Sequence, residues 1–165
     1  MELWDLYDKN GDPLGRLHRR GDPLPAGAYH LVISVMTCTS DGRILLTLRS
    51  AKKHPYPALW EITAGSALAG EDSMTAAKRE LFEETGITAE PEFVHRYSSS
   101  YGSGSLVDMY ILRRDITDDD IKLQPGETEA AKWVTPAEFD EMAAKGEITP
   151  PVVRRFEIYR RYIEK

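Results

Sequence analysis

Apolar residues along the chain gather in two kinds of run, short dense ones and longer ones at helical spacing, and these set the expected elements. Residues 2–7 (ELWDLY) read as a short strand that ends at the turn residues Asn10-Gly11-Asp12-Pro13, followed by an irregular segment, GDPLPAGAY. A strong strand then spans His30–Thr39, and Asp41-Gly42 forms a tight hairpin turn into Arg43–Arg49. RSAKKHPYPAL is a proline-broken loop, and Trp60–Ala64 is another short strand. From Asp72 to Thr85 the period changes: Met74, Ala77 and Leu81 fall on one helical stripe, Asp72 or Ser73 can cap the start, and Gly86 supplies the left-handed stop. Strands follow at Glu92–Ser98 and Leu106–Arg113, joined by the polar loop SSSYGSGS, and a last short strand at Lys132–Val134. Two helices close the chain. One covers Pro136–Lys145; the other begins after Thr149, with Pro150 in its first turn and Val152, Phe156, Tyr159 and Ile163 at helical spacing. Interspersed strands and helices without a repeat or linker predict an α/β domain over residues 1–165, a mixed sheet covered by helices on its faces, with residues 1–28 as an N-terminal strand and irregular extension.

Composition narrows the class. A chain of 165 residues, 41% hydrophobic, suits one domain with a substantial core. Its net charge of −6 argues against stable nucleic-acid binding or a membrane-surface role, while a small anionic ligand stays open wherever local cations offset the acidity. A single cysteine excludes an intrachain disulfide or a multi-cysteine zinc site. With no apolar core of signal-peptide length in MELWDLYDKNGD and no stretch near the ~20 residues of a membrane span, the expected location is the cytoplasm. The chain is expected as a monomer or homodimer.

The helix over 72–85 carries the chemistry. Glu80 and Glu84 are i,i+4 neighbours with Glu83 beside both, so like charges repel on one face. Arg79 can pair with Glu83, but one guanidinium cannot neutralise three carboxylates, whereas Mg²⁺ or Mn²⁺, preferring oxygen ligands, can. Acidic helix faces are ordinarily solvated surface. Spacing decides otherwise: Gly65, five residues, Glu71, seven residues, then Arg79-Glu80-Leu81-x-Glu83-Glu84-x-Gly86-Ile87 reproduces all nine fixed positions of the Nudix box within residues 65–87.

The chain therefore resembles the Nudix hydrolases from about His30 to the C-terminus. The resemblance implies an α/β/α sandwich, a loop–helix–loop holding one to three divalent metals, and hydrolysis of a phosphoanhydride bond in a nucleoside diphosphate derivative or related small pyrophosphate by metal-activated water. It also implies roles: Glu80, Glu83, Glu84 and the backbone carbonyl of Ala64 as metal ligands, Arg79 orienting the glutamates, Glu71 bracing the loop, and Gly65 and Gly86 shaping it. In QPGETEAAKWVT, Glu127 or Glu129 matches a loop from which relatives draw a further ligand or general base, with Glu127 the better placed. Arg49, Lys52, Lys53 and His54 form a basic cluster ahead of the helix, from which Arg49 and Lys53 are candidate substrate-phosphate contacts. Tyr56 is a candidate for stacking on a base, and Trp60 for structure. His18 and His30 are similar to histidines of the isopentenyl-diphosphate isomerases, a related branch, and a satisfied strand-end histidine accounts for His30 as well. That branch keeps a cysteine at the box start, where this chain has Ala64-Gly65-Ser66, while Cys38 lies in a strand. Leu68 stands where many relatives have a glutamate, which leaves the metal count open.

Overall fold

The computed structural model describes residues 1–99 and 104–163. Nine strands and three helices follow one another as β1 (Leu3–Tyr7), β2 (Pro13–Arg19), β3 (Tyr29–Cys38), β4 (Ile44–Arg49), β5 (Trp60–Glu61), β6 (Thr63–Ser66), α1 (Ser73–Thr85), β7 (Glu92–Ser99), β8 (Ser105–Arg113), β9 (Thr128–Val134), α2 (Pro136–Ala144) and α3 (Pro150–Ile163) among these residues. Part of the expected SSSYGSGS loop, residues 100–103, lies outside them.

β3 organises the sheet. β8 runs parallel to it from His30↔Ser105 to Cys38↔Arg113, with β7 antiparallel outside β8. The opposite edge of β3 is shared by three segments in turn: β1 at Tyr29 and His30, β6 from Val32 to Val35, and β4 at Cys38. β2 extends the sheet beyond β1, and β4 is flanked by β5 and β9.

Alternation along β3 builds two cores. Leu31, Ile33 and Val35 pack with Ala76, Ala77 and Leu81 of α1. Met36 and Cys38 pack with Phe139 and Met142 of α2 and with Val152, Phe156 and Tyr159 of α3. The result is the expected α/β/α sandwich with a mixed sheet. No described helix is long and apolar enough to cross a membrane.

The structure departs from the expected elements in four places. β2 falls in a segment without apolar alternation: its side chains are exposed apart from His18, and an edge strand needs only backbone pairing with β1. The expected strand over Trp60–Ala64 is split, because the chain changes partner at Ile62, from β4 to β3. β9 starts four residues before Lys132: Ala130 and Ala131 continue the register against β4, and Thr128 pairs with Arg49 beyond a register shift. On α1, Met74 is only partly buried; Ala76, Ala77 and Leu81 form the core stripe, and Glu84 is buried with them.

Candidate active site

The loop and helix of residues 65–87 are locked from both ends. Asp72 caps α1, its Oδ1 accepting from the Thr75 N–H at 2.7 Å. At the other end Gly86, at φ 72°, donates its N–H to Phe82 O at 2.8 Å. β1 holds the loop that precedes the helix: Leu3 O accepts from the Ala69 N–H at 2.8 Å, and Asp5 Oδ2 from the Gly70 N–H at 2.7 Å.

Arg79 joins the parts. Its Nε and Nη2 donate to the two oxygens of Glu71 at 2.7 and 2.9 Å, Nη2 donates to Ser66 O at 3.1 Å, and Nη1 reaches Glu80 at 2.8 Å and Glu83 at 3.3 Å. Glu71 also accepts from the Leu68 N–H at 2.8 Å. The paired guanidinium holds the Glu71 carboxyl below the usual range, and this neighbourhood raises Arg79 further above its already high value. Arg79 thus touches Glu71, Glu80 and Glu83, and Glu71 touches the box loop at Leu68. Gly65 makes room: a Cβ there would sit 2.2 Å from the Glu80 carboxyl carbon.

Glu84 is the deepest carboxylate of the group. Its Oε2 is buried without a hydrogen-bond partner. Burial pushes its pKa well above the ordinary value, and Glu61 and Glu80 push the same way against Lys53 and the Ala64 backbone. Glu80 is raised mainly by burial as well, Arg79 opposing. Glu61, on β5, is raised by burial against its bidentate pairing with Arg49 Nη1 at 3.1 Å to each oxygen. A buried oxygen without a donor, set among like charges, is costly unless a cation reaches it. Hard carboxylate oxygens suit a hard divalent cation. The described residues form no ready-made cage of three ligating side chains, since Arg79 lies between Glu80 and Glu83.

A cleft of about 310 Å³ opens over these groups. Ala64, Gly65, Arg79, Glu80, Glu83, Glu84, Lys53 and Glu127 all line it, so most of the expected site residues come together. Lys53 pairs with Glu127 across the rim. Glu129 turns elsewhere, accepting from the Ala51 N–H at 3.2 Å. Arg49 and Tyr56, expected at a substrate, are not among the lining residues: besides Glu61, Arg49 donates to Tyr56 O at 3.1 Å and Pro55 O at 2.8 Å. His18 and His30 also lie outside the lining. His30 stacks on Trp4 with centroids 4.1 Å apart, its Nδ1 is 3.2 Å from Gly104 O, and burial lowers its pKa; His18 Nε2 is 3.1 Å from Asp22 O. Cys38 is buried at the far end of β3, four positions beyond the Ser34–Ala64 pair, ~13 Å along the strand.

Sequence reasoning missed three charges here. Glu61 follows Trp60 in a two-residue strand, and its one sequence signal was a carboxylate just ahead of the box. Glu2 and Arg20 line the cleft from the ends of the β1–β2 hairpin, which had no legible second strand.

Comparison with known proteins bears on the family and the fold. The NUDIX domain model matches residues 28–156. An uncharacterized Nudix hydrolase of Listeria monocytogenes is 35% identical over 151 residues, covering 91% of this chain and 89% of that protein. An isopentenyl-diphosphate Delta-isomerase of Streptomyces coelicolor is 30% identical over 150 residues, covering 87% of this chain and 76% of the isomerase. In fold, the chain is similar to the crystal structure of DR0079 from Deinococcus radiodurans, with a TM-score of 0.74, 24% identity and coverage of 93% and 98% of the two chains. With its box intact, its sandwich fold in place and a domain match over most of its length, the chain belongs to the NUDIX family and is a Nudix hydrolase.

Proposed function

We propose that the protein hydrolyses a phosphoanhydride bond in a small diphosphate compound, such as a nucleoside diphosphate derivative, with Mg²⁺ or Mn²⁺ as cofactor. The observation that carries this reading is the partnerless buried oxygen of Glu84 beside Glu80 and Glu61. Glu80, Glu83, Glu84 and the Ala64 carbonyl would hold the ion, and Glu127 stands at the rim to join them. When bound, such an ion lowers the pKa of its water and neutralises phosphate charge. The chain's residues do the rest. Arg79 fixes the carboxylates' relative positions through Glu71 and Ser66. Arg49 holds Glu61 behind Glu84 and acts as a positioning residue. Lys53, released from Glu127, meets the substrate's phosphate oxygens, and the freed Glu127 serves as a ligand or as the acceptor of the water's proton.

Similarity to an isomerase supports a second reading, the double-bond shift of an allylic diphosphate. Against it stand Ala64 where that chemistry keeps a thiol, Cys38 remote from the cleft, and His18 and His30 engaged around Trp4. The deciding experiment assays a diphosphate panel with Mg²⁺ and Mn²⁺, isopentenyl diphosphate included, using wild type and Glu84→Gln. Metal-dependent phosphate or pyrophosphate release that vanishes in the variant is expected. Release undiminished by Glu84→Gln, or isomerised product in place of release, overturns the proposal.

A further inference from the structure

The N-terminal hairpin lies outside the stretch matched by the NUDIX domain model, yet its two ends reach the cleft. Glu2 precedes β1 and Arg20 follows β2, and Arg20 Nη1 donates to Glu2 Oε2 at 2.6 Å. Glu2 is close enough to Glu80 to act on its ionisation. The hairpin is fastened to the box loop through one backbone bond, Leu3 O to the Ala69 N–H, and one side-chain bond, Asp5 Oδ2 to the Gly70 N–H.

Three cations line the cleft, and they differ in how freely they can act. Arg79 is bound to Glu71, Glu80, Glu83 and a carbonyl. Lys53 has one rim carboxylate, Glu127. Arg20 is likewise paired with one, Glu2, and the two side chains are 61% and 47% exposed. An exposed pair of this kind is weak, and a guanidinium gains more from a phosphate it can grip through two N–H groups. Nor does the hairpin need the pair to stay closed, because the Arg20 N–H donates to Glu2 O at 3.0 Å through the backbone.

We propose that Arg20 is a substrate-binding residue that grips the diphosphate group, with Glu2 as a latch that holds the guanidinium over the cleft and competes with the phosphate for it. The hairpin thereby adds a second phosphate contact to the one supplied by Lys53. This rests on the diphosphate-hydrolase reading above but is tested apart from turnover.

The test is calorimetric binding of methylenediphosphonate, whose P–C–P bridge resists hydrolysis, to the full chain in Mg²⁺, with thermal melts as control. Arg20→Ala should weaken binding about tenfold, with Arg20→Lys between it and wild type, while Glu2→Gln should tighten binding about threefold. Opposite signs are the signature, since a purely structural pair would give both variants the same loss. Arg20→Ala within twofold of wild type, Glu2→Gln weakening in parallel, or no binding by wild type overturns the proposal. Opposite shifts in a protein that hydrolyses no diphosphate would uphold Arg20 and reject the hydrolase reading. Turnover with unshifted binding would do the reverse.

Discussion

Replacing Gly65 by Ala tests how closely the box loop is fitted to the carboxylates. Its φ is not in the left-handed region, so the added methyl strains the protein through contact rather than backbone. That methyl would lie 2.2 Å from Glu80 Cδ and Oε1 and 2.7 Å from Oε2. Side-chain Cβ contacts below 3.0 Å essentially never occur and ordinary contact begins at 3.4 Å, so the carboxyl must retreat by at least 0.8 Å (3.0 less 2.2), and by 1.2 Å (3.4 less 2.2) for an ordinary contact. The helix cannot retreat with it, because Ala76, Ala77 and Leu81 are fully buried against the sheet. Glu80, with a side chain 15% exposed, must therefore leave its 2.8 Å bond to Arg79. Losing one charge-assisted bond at a partly exposed site costs about 1–2 kcal/mol. A displacement of about 1 Å in a positioning group costs about 10²-fold in turnover. Thermal unfolding reads the first quantity; steady-state kinetics on the best substrate of the panel, and Mn²⁺ affinity by electron paramagnetic resonance, read the second. A double-mutant cycle with Glu80→Ala sharpens the reading, since without the Glu80 carboxyl the added methyl should cost little more. Turnover and Mn²⁺ affinity within threefold of wild type, or equal losses in both backgrounds, would refute the argument.

Arg79→Lys should reduce turnover by about 10²-fold and lower the melting point, because one ammonium cannot hold Glu71 bidentately while reaching Glu80, Glu83 and Ser66 O; recovery of most activity would count against this account. Gly86→Ala should cost about 1–2 kcal/mol in chemical denaturation with kcat preserved, since the residue sits at φ 72° and a Cβ would lie 2.8 Å from Lys122 Cβ, away from the cleft. Ionisation of Glu84 should make the metal-free protein less stable as pH rises. Its carboxyl is raised when folded, so above the unfolded value of 4.5 the folded chain holds a proton the unfolded chain has lost, and stability falls until the folded pKa is passed. Glu71, shifted down, adds stability that is present above that value and lost as pH falls through its folded pKa. Melts in chelator from about pH 5 to 8 should therefore slope down in wild type and less steeply in Glu84→Gln, and identical slopes would refute the assignment.

How legible each feature was in the sequence depended on whether it was written in local pattern or in partners. α1 was legible because period, Asp72 cap and Gly86 stop all agree within one segment. β3 and β4 were legible from dense apolar runs that the two cores bury. β2 was not, since an exposed edge strand has no core-facing alternation, and with it went the placement of Glu2 and Arg20 at the cleft. The basic cluster at 49–54 showed where positive charge lies but not what it meets: Lys53 reaches the rim, while Arg49 turns inward to the partly buried Glu61, four positions before the box opens at Gly65. Partners that come from other strands are absent from any window of local sequence.

Charge balance in the cleft connects the two proposals. Its lining sets five carboxylates, Glu2, Glu80, Glu83, Glu84 and Glu127, against three cations, Arg20, Lys53 and Arg79. With all five ionised the excess of two negative charges corresponds to one divalent ion, and the deepest of the five, Glu84, is the group whose burial otherwise favours its proton. Under the proposed reading, ion binding displaces that proton and completes the balance without disturbing the rim pairs. A diphosphate then brings new negative charge, and the groups able to answer it are those whose partners are exposed and replaceable, Lys53 and Arg20. Each pairs with a carboxylate, and under the two proposals the substrate's phosphates would displace both, freeing Glu127 and Glu2 together. With deep carboxylates holding the ion and latched cations meeting the substrate, the proposed arrangement would let the acidic cleft bind an anion that its net charge otherwise repels.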